Sequence, residues 1–404
     1  MKKIVLSTIA VLSIAASSVS AEDTKFYVDD NGQVFTKSAS DRKPLEMGHK
    51  STPVFSHTDK LKFSGLTYIG LTHNRYADRV ANPNETNFEL RRAYFQLKAY
   101  LLDDPKSYYR VTLDMHQNAE SDMVVRAKYA YLYLNNVLPN TGVEVGLAHR
   151  PWHDYEEHNA WYYRDISKVL IEAKNGGDLS NSADFGIMTK TKTEYFDADI
   201  GIFNGEGYHS DFNDDEASDK AGNGMSLEWR LTAHLMGVNG KDKQTKKTYA
   251  DASFFGQYNK EHKASASGFA DDYDDLVFYG VHGVYNMPSF LVSAQYVKSE
   301  DTAENNTFVS AQAGSGYSVN GEFRLGDNYE YRVLARYDSW TDKEQVSSDE
   351  REQTSLIAGV AWQQNHNVQW VANMIVKDNE KDAFNAKADT ADSKAYMLTA
   401  QIEF

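Results

Sequence analysis

The densest run of reactive side chains in this chain is Arg150-Pro151-Trp152-His153-Asp154-Tyr155-Glu156-Glu157-His158, followed shortly by Trp161-Tyr162-Tyr163-Arg164-Asp165. With His149 just before it, the run raises zinc binding by His149, His153, Glu156, Glu157 and His158. The spacing argues against that. Neither the His-Glu-x-x-His pattern nor its inverse is met, because His153 is followed by Glu156 and Glu157, with His158 one place too far. Asp211–Asp219 (DFNDDEASD) has carboxylates at calcium-like intervals, but lacks the glycine at the sixth position and the glutamate at the twelfth that a calcium loop needs. Ser315 stands between Gly314 and Gly316 without the G-x-S-x-G spacing of a nucleophile elbow. The sequence therefore predicts no catalytic residue, no metal site and no cofactor. It leaves a polar, aromatic loop whose charges must act by position.

The elements that would hold such a loop read as strands. From Leu61 to Phe404 the chain repeats segments in which every second residue is apolar, the period at which a strand sends side chains to opposite faces. In Phe88–Leu101, Ala93, Phe95, Leu97, Ala99 and Leu101 share one face and Arg92, Tyr94, Gln96 and Lys98 the other. The same split recurs in later segments. It collects Arg110, Arg126, Lys128, Arg230, Arg332 and Arg336 on the polar face, together with Asp114, Glu144, Asp197, Asp199, Glu228, Glu330, Asp338 and Glu403. Sixteen such segments run from Leu61–Leu71 to Lys394–Phe404. The connections between them alternate between short turns, such as Met287-Pro288, and long polar stretches, such as 150–183. Charges on one face and grease on the other fit a closed antiparallel barrel that meets lipid outside and water inside. At sixteen strands the interior is wide enough for an aqueous channel.

The N-terminus and the composition agree with export. Lys2 and Lys3, the apolar stretch Ile4–Ala16 and the small residues ending at Ala21 form a cleavable signal peptide, leaving 22–60 as an N-terminal periplasmic or lumenal segment and 61–404 as the barrel. Within the N-terminal segment, Phe26–Thr36 reads as a hairpin around Asp30-Asn31-Gly32. A net charge of −16 argues against nucleic acid as a partner, and the absence of cysteine excludes a disulfide framework. The load of 26 Tyr, 19 Phe and 6 Trp suits interfacial girdles of a membrane barrel.

Several segments resemble the phosphate-selective porin O/P family: Phe88–Leu97 (FELRRAYFQL), Val145–Pro151 (VGLAHRP), Asp184–Ile187 (DFGI), Asp199–Gly207 (DIGIFNGEG), Gly316–Phe323 (GYSVNGEF) and Ala400–Phe404 (AQIEF). The resemblance implies a sixteen-stranded outer-membrane barrel, trimeric, with its third external loop folded into the lumen and basic wall residues that favour anions. In this chain the 150–183 connection corresponds to that loop. Arg150, His153, Glu156, Glu157 and Arg164 are then expected at the narrowest point, opposite Arg92, Arg110 and Arg126. The mixed wall departs from a purely anionic preference, so phosphate selectivity does not follow from the resemblance alone.

The expected function is passive diffusion of small hydrophilic solutes or ions, such as phosphate, across a bacterial outer membrane. The expected surroundings are membrane lipid and lipopolysaccharide. An outer-membrane hydrolase and a surface adhesin or receptor are the competing readings.

Overall fold

A computed structural model describes residues 27–29, 34–35, 37–44, 60–76, 84–117, 122–205, 207–208, 225–237, 247–264, 273–301, 313–343, 350–379 and 392–404. Residues 1–21, expected to be a signal peptide, and the acidic run Asp211–Asp219 lie outside these residues. The chain divides into two compact units, Met1–Thr58 and Asp59–Phe404. The first holds a three-stranded sheet of β1 (Tyr27–Asp29), β2 (Val34–Phe35) and β3 (Arg42–Pro44), with β1 central. Tyr27 pairs with Phe35, as the hairpin reading expects.

The second unit is a closed antiparallel barrel of sixteen strands. They are β4 (Leu61–Tyr76), β5 (Glu85–Ala99), β6 (Tyr108–Gln117), β7 (Met123–Leu138), β8 (Thr141–His149), β9 (Ala183–Lys192), β10 (Phe196–Phe203), β11 (Ser226–His234), β12 (Tyr249–Ala264), β13 (Tyr273–Met287), β14 (Phe290–Asp301), β15 (Gly314–Leu325), β16 (Tyr331–Lys343), β17 (Glu350–Gln363), β18 (Val368–Asn379) and β19 (Ser393–Glu403). Each strand pairs with its sequence neighbours, so every connection is local. The ring closes where β19 meets β4, from Ser393 opposite Tyr76 to Glu403 opposite Leu66. The last residue completes the seam, since Phe404 and Gly65 exchange two backbone hydrogen bonds of 3.1 Å. The Phe404 ring lies over Gly65, where any β-carbon would overlap it. Closure leaves no unpaired edge, which is what lets strands cross a bilayer.

Alternation sets the two faces. Leu227, Phe254, Tyr279, Val281, Val292, Val319, Val333, Val360 and Leu398 are exposed on the outside of the barrel. Such a continuous apolar exterior is tolerated in lipid, not in water. The inward face is only partly wet. The 150–182 connection between β8 and β9 folds inward and packs Trp152, Trp161, Tyr163, Ile166, Val169, Leu170 and Ile171 against inward-facing Phe255, Leu276, Phe278, Val297, Leu334, Trp340, Ile357 and Val371. One side of the lumen is therefore a dry core joining loop to wall. Open space remains on the opposite side, along β4 to β7 and the seam strands β18 and β19.

Candidate functional site

The inserted loop begins with the helix α1 (Pro151–Asn159). Pro151 occupies its first turn, where the missing N–H costs nothing, and Asp154 in the same turn complements the helix dipole. The Ala160 N–H returns to the Glu156 carbonyl at 2.9 Å and ends the helix. Trp152 stacks on Phe255 of β12 at 3.6 Å between centroids and an interplanar angle of 4°. The Tyr155 hydroxyl donates to Asp251 of the same strand at 2.7 Å.

Polar latches continue along the loop. Arg150 donates to the Glu228 carboxylate of β11 through Nε at 2.8 Å and Nη2 at 2.5 Å, and to Gln257 of β12 at 2.9 Å. Gln295 of β14 donates to Glu156 at 2.5 Å. Tyr163 donates to Glu322 of β15. Arg336 of β16 donates to the Lys168 carbonyl at 3.0 Å. Thr399 of β19 donates to Asp165 at 2.5 Å, and Arg91 of β5 reaches the Asp165 carbonyl at 2.7 Å. A loop tied to strands this far round the ring cannot swing as one flap without breaking several bonds at once.

Two cavities lie where the loop leaves the wall uncovered. One, of about 640 Å³, opens toward the rim of the long connections and is bounded by the ends of β4 and β18 and the start of β19. The other, of about 510 Å³, opens toward the short turns, between the start of β4 and the chain end at Phe404. Tyr68 of β4 and Arg164 of the loop line both cavities, so this pair stands where the two meet the loop.

Charge is distributed unevenly. Arg91, Arg92, Arg164, Lys168, Lys174 and Lys377 line the long-connection cavity, against Glu89 and Asp165. Arg92 and Arg126 share the buried Asp114, at 2.5 and 3.4 Å. Arg164 is held by Glu157 and, at 2.6 Å, by Glu172. Burial alone would raise the Glu172 carboxyl, but Arg164 and Lys168 outweigh it and hold the group well below the usual carboxylate range.

Two bulges add cations to this wall. In β5, Tyr68 opposes Arg92 and Ile69 opposes Leu90, which leaves Arg91 as the extra residue. In β7, Thr112 opposes Tyr129 and Leu113 opposes Ala127, leaving Lys128 extra. A bulge resets the phase of alternation, so neighbours in sequence turn to the same side. Arg91 and Arg92 thus both line one cavity, and Lys128 and Tyr129 both line the other.

The residues expected at the constriction divide accordingly. Arg164 lines both cavities and Glu157 lines the short-turn cavity. Arg150, His153 and Glu156 do not line open water: each is 1% exposed, turned under the loop and spent on anchoring it. Burial pushes the Glu156 carboxyl up to about 7 and the His153 imidazole down to about 3. Of the expected wall residues, Arg92 lines the long-connection cavity, whereas Arg110 and Lys128 line the other. Arg126 stands behind Arg92 on Asp114, and Lys98 lies over the Tyr108 ring at 4.7 Å. Arg230 pairs with Asp199 at 2.7 Å and Arg336 with Asp338 at 2.8 Å, both buried on the loop-covered side. Arg332 is half-buried beside Tyr163 on that side. Those three face the core rather than either cavity. The sequence reading missed Arg91, Glu172, Lys168, Lys174, Lys377 and Tyr68. The paired Arg91-Arg92 within an alternating segment was the available signal for the first.

Comparison with solved structures returns barrels of this kind. An anion-selective porin from Comamonas acidovorans is 10% identical over 85% of this chain and 99% of its own, with a TM-score of 0.59. Pseudomonas putida OprB is 9% identical over 86% and 95%, also at 0.59. The trimer form of OmpT, an outer membrane protein of Vibrio cholerae, is 14% identical over 86% and 100%, at 0.55. No family model matches the chain and no curated protein matches its sequence, so the resemblance to the phosphate-selective branch has no support from either. What the solved structures share with this chain is the fold of outer-membrane porin barrels.

Proposed function

We propose that the protein is a bacterial outer-membrane porin through which small hydrophilic solutes diffuse passively, with a preference for anions such as phosphate. The observation that carries this reading is the cavity at the long-connection rim, lined by six cationic side chains and two carboxylates, with Asp114, Glu157 and Glu172 pairing Arg92, Arg164 and Lys168 from behind. In a confined, partly dry space, fixed charges act more strongly than on an open surface, so a local excess of cations raises the concentration of anions at the entrance. The chain as a whole is acidic, at −16, which makes the basic lining a local arrangement rather than a consequence of composition. The anion-selective porin among the structural neighbours supports the channel reading, and the trimer form of the Vibrio cholerae protein supports a homotrimer.

The experiment is vesicle swelling with purified protein. Small sugars are expected to enter at rates that fall with size, and vesicles that stay tight would overturn the reading. Cross-linking in detergent, with a ladder ending at three copies, tests the assembly.

A further inference from the structure

The cavity on the short-turn side of Tyr68 and Arg164 has a lining unlike that of its neighbour. Two of its cations have no carboxylate partner within 4.0 Å among the described residues. Lys128, 5% exposed, donates only to the Tyr94 hydroxyl at 3.5 Å and lies 4.6 Å from the Tyr94 ring centroid and 5.3 Å from that of Tyr129. Arg110 lies 4.6 Å from the same Tyr129 centroid, and its hydrogen bonds go to Thr112, Tyr131 and His149. The two charges thus flank one ring. A nearly buried cation without a counter-ion is costly, and ring faces recover part of that cost.

The carboxylates that share the cavity are engaged elsewhere. Asp154 lies 3.5 Å from Lys190 and 3.7 Å from His149, Glu157 holds Arg164, and Glu403 accepts from Gln401 at 2.6 Å. Beyond the cations the lining carries Tyr68, Tyr94, Tyr129, Trp161, Tyr162 and Phe404 among polar side chains such as Gln96, Thr112 and Gln401. Tyr94 and Tyr162, both half-buried, present rings that are already fixed. Tyr94 is packed edge-on against Tyr68 at 6.2 Å, and the Tyr162 hydroxyl is bonded to Tyr249 at 2.9 Å. Rings ordered in advance lose little freedom when a ligand lies on them. A volume of about 510 Å³ lies in the range of small-molecule sites built from aromatic walls and a few placed charges.

We propose that this cavity is a binding site for aromatic carboxylates, in which Lys128 and Arg110 take the carboxylate and Tyr94 and Tyr162 take the ring. The assignment rests on the channel reading only for how the ligand arrives. An inorganic anion would satisfy the cations but leave the aromatic lining unused, and a neutral aromatic would leave the cations unpaired.

The test is calorimetry on the full barrel in detergent micelles, titrated with sodium benzoate, sodium acetate and inorganic phosphate. Benzoate is expected to bind about tenfold more tightly than acetate, the size of one aromatic contact. Lys128→Gln should weaken benzoate by about tenfold, the size of one charge contact, with Lys128→Arg restoring most of it. Tyr162→Leu, which removes a ring that touches neither cation, should narrow the gap between benzoate and acetate. Equal affinities for benzoate and acetate, tighter binding of phosphate than of benzoate, or benzoate affinity unchanged in a Lys128→Gln barrel that melts like the parent would each overturn the site. Chloride current in bilayers without any benzoate binding overturns the site and leaves the channel reading standing. Absence of any ionic current overturns the channel reading, and the calorimetry still decides the site.

Discussion

Tyr68 on the barrel wall and Arg164 on the inserted loop line the same two cavities, the one toward the long connections and the one toward the short turns. The wall residue is 4% exposed and the loop residue is fixed by Glu157 and Glu172, so neither is free to move aside. In the channel reading proposed above, these two held side chains set the size of the solute. Tyr68→Ala should raise single-channel conductance and admit larger sugars in vesicle swelling, whereas Tyr68→Phe, which keeps the ring, should leave both near the parent values.

Removing the charge at the same place should act on selectivity. Arg164→Gln leaves Glu157 without its cation and Glu172 with Lys168 alone, at 3.1 Å. An added negative balance there is worth on the order of 1 kcal/mol, a severalfold fall in the ratio of chloride to potassium permeability. Reversal potentials across a salt gradient measure it directly. Glu157→Gln should move the potential the other way.

The cations of the outer cavity act partly through water and should be screened. The Debye length falls from about 10 Å at 0.1 M salt to about 3 Å at 1 M, so anion preference should weaken across that range. Arg91→Glu combined with Arg92→Glu should lose more preference at low salt than at high salt. An equal loss at both would mean that the two arginines act only by contact.

Much of this architecture is legible in the chain. Alternation alone places Arg92, Tyr94, Arg110 and Asp114 inside and Leu227, Val333 and Leu398 outside, because a barrel wall has only two faces. Two features escape that logic. The bulges at Arg91 and Lys128 shift the phase by one residue, which no period-two pattern can register. The burial of Arg150, His153, Glu156, Arg230 and Arg336 depends on where the loop lands. That is decided by Trp152 meeting Phe255 and by Arg150 meeting Glu228, 78 residues away in sequence. Inward-facing Phe255, Leu276, Leu334 and Trp340 are the trace of that landing, since apolar residues on a wet face need a cover.

The Arg150–Glu228 latch gives a stability test. Glu228→Ala leaves a buried guanidinium with its carboxylate removed, an arrangement that costs about 3 kcal/mol or more. The barrel should melt at lower temperature, and the loop should become open to protease. Replacing both residues with apolar side chains of similar volume should recover much of the loss.

Loop packing should also depend on pH. Glu156 is anchored by the neutral Gln295 amide rather than by a cation. Its carboxyl, pushed up to about 7 by burial, faces Arg336, which eases ionisation, and Asp338, which opposes it. Asp165, anchored by Thr399, is pushed up to about 6, again chiefly by burial. A carboxyl raised in the folded state lends full stability below its ordinary range and loses it as pH rises through the raised value. His153, held down to about 3, adds stability as pH rises to its ordinary range and opposes this loss, so amide-exchange protection in the loop should fall mainly between about pH 6.5 and pH 8. Glu156→Gln should flatten most of that fall, and an unchanged profile in the variant would place the pH sensitivity elsewhere.

The most direct measurement is the zero-current potential of the reconstituted protein in a planar bilayer with unequal potassium chloride on its two sides. A water path lined as this one is gives a measurable conductance and a potential whose sign reports faster passage of chloride. A tight membrane, or a potential of the opposite sign, would contradict the account.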